Sequence, residues 1–205
     1  MSPWLRKHGT RLDIPNLLTL YGRFERSAEN QRPFINYRSV LRQVMRAFSE
    51  EFHIKLGDGD IDILCRSLRN WPVFPDTIKA LQRLGSLYEL SIISNIDSSL
   101  FTETAKTLQN KFTWVISADT VQAYKPSQQH FKKLFELTGL PLDRHLHIAQ
   151  SQYHDIQVAN ILGMRCVWVN RIRAQSTPLM DIDPDLEVPD LETLVKIVVD
   201  QRGSQ

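Results

Sequence analysis

The residues of this chain whose types could do chemistry follow the ends of three short apolar runs. They are Ser94 and Asn95 after the first run, Lys125 in the segment AYKP, and Gln150, Ser151, His154 and Asp155 in the segment AQSQYHD. An ammonium group, a carboxylate, an imidazole and neutral donors can together move protons on a small polar molecule. Because histidine titrates nearest neutrality, His154 or a buried Asp155 is the acid to test first. Lys125 completes the predicted catalytic set.

Each of these residues also has a structural interpretation. Asp97 or Ser98 would simply cap the helix that follows the first run. His154 would be a surface histidine in the first turn of a helix, and Asp155 would form a capping ion pair with Lys125. A single lysine before a proline means little, since most lysines lie on solvated surfaces. Matched chemistry at three strand ends is what favours a shared site.

Alternating helices and strands position these groups. Apolar periodicity and β-branched runs predict helix 76–85, strand 89–94, helix 98–110, strand 114–116, helix 127–138, strand 146–149, helix 154–162, strand 166–169, a short strand between 181 and 190, and a closing helix 191–199. Short connections between alternating elements predict an α/β fold with a doubly wound, mostly parallel sheet. In such a sheet the ligand crevice lies beyond the carboxyl ends of the strands, where Ser94, Asn95 and Lys125 would stand.

Four segments are predicted along the chain. Residues 1–14 are a basic N-terminal segment without a buried strand, residues 15–70 carry three helices of a cap subdomain, residues 71–199 form the α/β core, and residues 200–205 fray. A chain of 205 residues can bury one core and a small appended domain.

Composition narrows the classes of partner. Twenty-five basic and 23 acidic residues give a net charge of +2, and no window has the single-sign density of a nucleic-acid footprint. Cys65 and Cys166 lie far apart without a metal-binding spacing, which is typical of core residues in a reducing compartment. We find no secretory segment and no apolar run of about 20 residues, so we expect a cytoplasmic protein that does not contact a membrane.

The runs SIISN, VISADTVQAYKP, HIAQSQYHD and ILGMRCVWVNR resemble the haloacid dehalogenase-like (HAD) superfamily, in particular its L-2-haloacid dehalogenase branch and fungal-type relatives. The resemblance covers residues 72–171 by motif and residues 15–70 by position and shape. It implies a Rossmann-like core with a helical cap.

The resemblance also implies roles for the polar residues. Ser94 and Asn95 correspond to the second motif of the family, which holds a substrate carboxylate or phosphate. Lys125 corresponds to the lysine of the third motif, and Asp155 corresponds to the acidic fourth motif. Gln150 lies where dehalogenases carry Ser or Asn groups. Dehalogenase caps present an arginine to the substrate, and Arg23 on the first helix is the preferred candidate.

One departure is larger than these matches. In the family, the nucleophilic aspartate lies at the end of the first strand, well before the Ser-Asn pair in the sequence. At the family's spacing, the position of that aspartate would fall before Met1 of this sequence. Asp13 is the only aspartate before residue 50, and no strand precedes it. The first central strand, between the strands 89–94 and 146–149, is therefore expected to be absent. Without its aspartate neither a metal site nor a cofactor is expected.

Three functional hypotheses follow. The first is an enzyme without the aspartate nucleophile that acts as a metal-independent acid/base catalyst. Its reaction would be an isomerisation, an epoxide rearrangement or a cyclisation of a small molecule in secondary metabolism. The second is a non-catalytic protein that binds a ligand or partner. The third is a truncated 2-haloacid dehalogenase-like hydrolase whose opening segment is absent from the sequence. The unpaired edges of the strands 89–94 and 146–149 also favour a homodimer.

Overall fold

The structure is a computed structural model that describes residues 1–171 and 182–203. The chain forms two compact units, Met1–Trp71 and Pro72–Gln205. None of the helices in the described ranges has the length and apolar character needed to cross a bilayer. Cys65 and Cys166 are both free and buried, in accord with their predicted place in the core.

The first unit is helical. Its elements are α1 (Ser2–Lys7), α2 (Ile14–Glu29), α3 (Tyr37–Glu51) and α4 (Ile63–Ser67), with 3₁₀ turns at Asp60–Asp62 and Leu68–Asn70. Asp13 and Asn36 begin α2 and α3, because each side chain accepts a hydrogen bond from a backbone N–H of the first turn. Helices α2 and α3 pack together, with the rings of Phe24 and Phe48 edge to face at 5.0 Å.

Helix α1 lies in the segment for which the sequence predicts no element. Pro3 occupies its first turn, and Arg6 and Lys7 occupy its last. Trp4 and Leu5 bury their side chains. Six residues offer too few apolar positions for a periodic signal, so packing alone reveals this helix.

The second unit alternates helices and strands in the predicted order. Its helices are α5 (Thr77–Gly85), α6 (Ser98–Leu108), α7 (Ala118–Val121), α8 (Gln129–Thr138), α9 (Gln157–Leu162) and α10 (Leu191–Gly203); its strands are β1 (Ser91–Ser94), β2 (Trp114–Ser117), β3 (His147–Ala149), β4 (Cys166–Val169) and β5 (Leu186–Val188). A 3₁₀ turn at Leu142–Arg144 and a π-helical turn at Gln152–Ile156 complete it. The predicted α/β class is confirmed, and α10 continues to Gly203, past its predicted end at residue 199.

The strands form two parallel sheets. Strand β1 pairs with β2, from Ser91 opposite Trp114 to Ser94 opposite Ser117, and β4 pairs with β3 on one side and β5 on the other. Within residues 1–171 and 182–203, no strand joins β1 to β3. The predicted homodimer stays a prediction, which analytical ultracentrifugation would check.

Two apolar clusters hold the helices onto the strands. The first contains Phe131, Ile156, Val158, Ala159, Met164 and Cys166, with Ile93 and Trp168 packed against it. The second contains Val167, Val169, Val188 and Leu194. Because Ile93 of β1 and Cys166 of β4 contact the same cluster, the apolar core links the two sheets. Burying a large apolar side chain contributes about 1.5–3 kcal/mol, so this cluster is a substantial part of the stability.

Candidate active site at the strand ends

Lys125 lies in the loop between α7 and α8, and its ammonium group is buried. Nζ donates hydrogen bonds to Asp155 Oδ1 at 2.6 Å and to the carbonyl oxygen of Ile93 on β1 at 3.1 Å. The Lys125 and Asp155 side chains are 9% and 8% exposed, so water screens their attraction only weakly. An ammonium group has three N–H donors, and the described residues accept from two of them. One donor remains for a bound molecule.

The Asp155 carboxylate is held through one oxygen. Oδ1 accepts from Lys125 and lies 3.0 Å from His147 Nε2, whereas Oδ2 accepts no hydrogen bond from any described residue. Burial raises the pKa of Asp155, but attraction to Lys125 and the hydrogen bond from His147 outweigh burial and hold this pKa well below the usual value. Asp155 therefore stays ionised near neutral pH. It can orient Lys125, but it is not suited to the role of a proton donor that we considered from the sequence.

Asn95 connects the end of β1 to the main chain of Lys125. Its Oδ1 accepts from Lys125 N at 2.7 Å, and its Nδ2 donates to Lys125 O at 3.2 Å. The structure thus brings Asn95, Lys125 and Asp155 together at one edge of the sheet. These bonds make Asn95 a positioning residue, and its contact with a substrate stays a prediction.

Ser94 ends β1 and contacts a buried histidine. Its carbonyl oxygen lies 3.1 Å from Nε2 of His130, which is fully buried on α8. Burial and the nearby Lys125 charge lower the pKa of His130 to about 4, so the ring is neutral at neutral pH and donates from Nε2. The Ser94 hydroxyl is half-buried and makes no hydrogen bond with a described residue. It is therefore available to a ligand.

The third polar group follows β3. Ser151 Oγ accepts from His154 N at 3.2 Å and thereby caps the π-helical turn, and it lies 3.1 Å from His154 Nδ1. The Tyr153 ring packs edge-on against the His154 ring at 5.0 Å. The carbonyl oxygen of Gln150 accepts from Trp168 Nε1 at 3.1 Å. This turn holds an imidazole next to a hydroxyl group, a pairing that can transfer protons.

Arg23 lies on α2 of the first unit. Its side chain is 57% exposed and forms an ion pair with Glu51 at 3.0 Å. Its guanidinium group also lies 5.0 Å from the centroid of the Phe24 ring. Contact between Arg23 and a substrate stays a prediction.

Asp13, the only aspartate before residue 50, has a structural role. Its two carboxylate oxygens accept from N and Nδ2 of Asn16 at 2.8 and 2.9 Å, which begins α2. The side chain is exposed in the first unit and follows no strand.

Sequence reasoning missed two buried histidines of this site, His130 and His147. His147 is the first residue of β3, packs edge-on against Phe131 at 4.9 Å and reaches Asp155 from eight positions earlier in the chain. A usable signal was present, because an imidazole inside an apolar strand or on an apolar helix face must find a polar partner when it is buried.

Comparison with known proteins places this geometry in context. The profile of haloacid dehalogenase-like hydrolases matches residues 25–169. The chain is 24% identical over 149 residues to a phosphoglycolate phosphatase of Pseudomonas syringae pv. tomato, which covers 68% of this chain and 54% of the phosphatase. It is 24% identical over 172 residues to an (S)-2-haloacid dehalogenase of a Pseudomonas species, which covers 80% and 71%. The chain spans about half the length of the curated phosphatases it matches.

Solved structures share the fold. The crystal structure of an L-2-haloacid dehalogenase aligns with a TM-score of 0.79 at 22% identity, over 95% of this chain and 88% of that one. The L-2-haloacid dehalogenase from Xanthobacter autotrophicus aligns with a TM-score of 0.74 at 18% identity, over 88% and 84%. The predicted resemblance to this branch is confirmed for the fold.

A hydrolase of similar fold from Bacillus subtilis was solved with magnesium, at a TM-score of 0.72. The described residues of this chain do not fit such an ion. Mg²⁺ takes oxygen ligands in an octahedral arrangement, and the described ranges contain no group of three His, Cys, Asp or Glu that could hold a metal. Asp155 already directs Oδ1 at Lys125 and His147. We therefore derive no catalytic step through a metal.

Proposed function

Because the chain belongs to the haloacid dehalogenase-like hydrolase family, we propose that it is an enzyme that binds a small carboxylate-bearing molecule at its strand ends and acts on it by metal-independent acid–base catalysis. The reaction is an isomerisation, an epoxide rearrangement or a cyclisation, in secondary metabolism. The buried Lys125 ammonium carries the proposal, because it keeps one N–H donor unused by the described residues. Its acceptor Ile93 immediately precedes Ser94, whose hydroxyl is also unused.

The names of the relatives support a carboxylate substrate. Phosphoglycolate, 2-haloacids and haloacetate are all small molecules with a carboxylate group. A substrate carboxylate would accept from Lys125 Nζ and from Ser94 Oγ, and a hydrogen bond from a charged donor is about twice as strong as one between neutral groups. Asp155 holds the Lys125 ammonium group in place through the hydrogen bond to Oδ1.

His154 is the group that transfers the proton in this proposal. Ser151 Oγ lies against its Nδ1 and orients the ring. General acid–base catalysis contributes roughly 10²–10⁴-fold, so a His154→Gln variant would lose turnover by a factor in that range. Because His154 is half-buried, this variant is expected to keep its melting temperature.

Neither of two described aspartates, Asp13 and Asp155, is placed as a nucleophile, which favours this reaction over hydrolysis. Hydrolytic removal of halide or phosphate in this family requires a carboxylate that forms a covalent intermediate. Asp13 caps a helix, and Asp155 is held by Lys125 and His147. A second candidate function is ligand binding without turnover, which the buried Lys125–Asp155 ion pair and the Asn95 hydrogen bonds to the Lys125 main chain also fit.

Three small carboxylates separate these functions. Purified protein is incubated in EDTA with glycidate, 2-chloropropionate and phosphoglycolate, and NMR follows loss of the epoxide while chloride and phosphate are assayed. We expect loss of the epoxide signal, at a rate that His154→Gln lowers and that added Mg²⁺ leaves unchanged. His8→Gln, an exposed histidine in the first unit, serves as the matched control.

Each other outcome identifies a different function. Release of chloride or phosphate would show that the protein is a hydrolase and would overturn the proposed acid–base reaction. A rise in melting temperature with no turnover of any compound would favour the ligand-binding candidate. A lack of both binding and turnover across all three probes would overturn the carboxylate substrate class itself.

A further inference from the structure

A cavity of about 600 Å³ lies in the second unit, outside the carboxyl ends of β4 and β5. Arg171 follows the end of β4 by two residues, Asp190 follows the end of β5 by two, and both line the cavity. Its apolar lining consists of Pro75, Ala80 and Val195. Ligand cavities typically measure about 300–1,000 Å³, and open parallel sheets bind ligands beyond the carboxyl ends of their strands. The cavity therefore has the size and place of a ligand site.

One acidic residue in the lining is fully engaged by the protein. Asp76 accepts from Arg171 NH1 and NH2 at 3.0 and 2.9 Å and from Leu191 N at 2.7 Å. The Arg171 guanidinium lies 4.1 Å from the centroid of the Phe74 ring. The Asp76 and Arg171 side chains are 10% and 14% exposed, and their opposite charges balance each other.

The other two acidic residues in the lining are also engaged. Asp190 Oδ1 accepts from Thr193 N at 2.7 Å and so caps α10. Glu192 forms an ion pair with Lys196 at 2.8 Å on the exposed side of α10. The cavity thus contains no carboxylate that lacks a partner among the described residues.

Two basic residues in the lining have no ion-pair partner among the described residues. Lys79 and Arg83 lie four positions apart on α5, hence on one face of that helix, and both are exposed. Neither has an ion-pair or side-chain hydrogen-bond partner in the described ranges. The six charged residues of the lining carry three positive and three negative charges, and Lys79 and Arg83 are the two cations whose side chains pair with none of the described carboxylates.

We propose that this cavity binds a small organic phosphate, with its phosphate group on Lys79 and Arg83 and its apolar part against Pro75, Ala80 and Val195. A phosphate monoester carries a charge of about −1.5 to −2 at pH 7, and Lys79 and Arg83 are the two lining cations that have no ion-pair partner among the described residues to compete with it. The planar guanidinium of Arg83 offers paired donors to phosphate oxygens, and Lys79 adds a compact charge. This site is separate from Lys125 and Asp155 and does not depend on the reaction proposed above.

Phenyl phosphate is the probe, because it combines a dianion with an apolar ring. Calorimetric titration and thermal shift are performed on the full chain at physiological ionic strength, with inorganic phosphate and benzoate as the other two probes. We expect saturable binding of phenyl phosphate, weaker binding of phosphate and no binding of benzoate. Lys79→Gln/Arg83→Gln should weaken phenyl phosphate binding at least about tenfold, since two charge-assisted contacts are lost.

The control variant is Arg46→Gln/Lys55→Gln, which removes two exposed charges in the first unit and should bind as the unsubstituted protein does. Gln is a good helix former, so both variants should fold. Equal binding by the two double variants, equal binding of benzoate, or no saturable binding of phenyl phosphate would each overturn the proposal. Failure here leaves turnover of the carboxylates unaffected, so the two proposals are tested independently.

Discussion

The side chain of Asn95 hydrogen-bonds both main-chain polar atoms of Lys125, its N at 2.7 Å and its O at 3.2 Å. The two residues are 30 positions apart, so this amide joins the end of β1 to the loop before α8. The ammonium group of Lys125 is consequently placed by contacts at both of its ends. Asn95 holds the main chain, while Asp155 and the Ile93 carbonyl hold Nζ.

Asn95→Ala is expected to destabilise the protein by about 1–3 kcal/mol, because it leaves the partly buried N–H and C=O of Lys125 without their partner. Urea unfolding measures the change. Asn110→Ala is the matched control, since the Asn110 side chain makes one hydrogen bond to the described residues, a long one of 3.4 Å to Leu81 O. An equal loss of unfolding free energy in the two variants would show that the pair of hydrogen bonds from Asn95 to the Lys125 main chain contributes nothing beyond an ordinary side-chain contact.

Lys125→Met is expected to lower the free energy of unfolding by about 3–5 kcal/mol, because it leaves Asp155 as an uncompensated buried charge. Lys133→Met, which breaks an exposed pair with Glu136, should cost no more than about 1 kcal/mol. The combined Lys125→Met/Asp155→Leu variant should recover much of the loss, because no buried charge remains. Chemical denaturation of all three tests this, and a double variant no more stable than Lys125→Met would contradict it.

His130 should make stability depend on pH between about 4 and 6.5. Burial and Lys125 lower its folded pKa to about 4, whereas an unfolded histidine has a pKa of about 6.5. Between these values the unfolded state binds more protons, so the free energy of unfolding falls as pH falls, by at most about 1.4 kcal/mol per pH unit. His130→Gln keeps a donor for Ser94 O and should flatten this slope. His53→Asn, at an exposed position, should not, and parallel slopes for both variants would refute the assignment.

The contribution of Glu25 to the free energy of unfolding of the first unit is expected to fall as pH rises. The carboxylate accepts from Tyr37 Oη at 2.6 Å and from Tyr21 Oη at 3.1 Å, and burial raises its pKa against the effect of these bonds. With the folded pKa above the unfolded one, the folded state binds more protons, and this contribution is lost as pH rises through the folded pKa.

Glu25→Gln removes that titration. The stability of the variant relative to the unsubstituted protein should therefore increase from pH 4 to pH 8, as measured by thermal unfolding across that range. Glu50→Gln, at an exposed position of α3, is the control and should show no such trend. A constant difference between Glu25→Gln and the unsubstituted protein would exclude a raised pKa.

The sequence by itself determined the order of helices and strands in the second unit. Strands 91–94 and 166–169 fall within or on their predicted bounds, because apolar periodicity and β-branched runs are local signals. It also determined that Ser94, Asn95 and Lys125 meet at one edge, because the carboxyl ends of parallel strands lie together. The short helix α1 escaped prediction because its two buried residues, Trp4 and Leu5, form no repeating pattern.

Only the tertiary structure decided what each polar group does. His147 Nε2 contacts the same oxygen of Asp155 that accepts from Lys125, and His130 Nε2 donates to the carbonyl oxygen of Ser94. Both polar atoms of the Asn95 side chain hydrogen-bond the main chain of Lys125. Distances between residues that lie tens of positions apart, and the loss of water around them, depend on how the elements pack. A local pattern contains neither quantity. For this reason the sequence identified the strand-end residues, and packing decided that Asp155 is ionised near neutral pH and holds Lys125 in place.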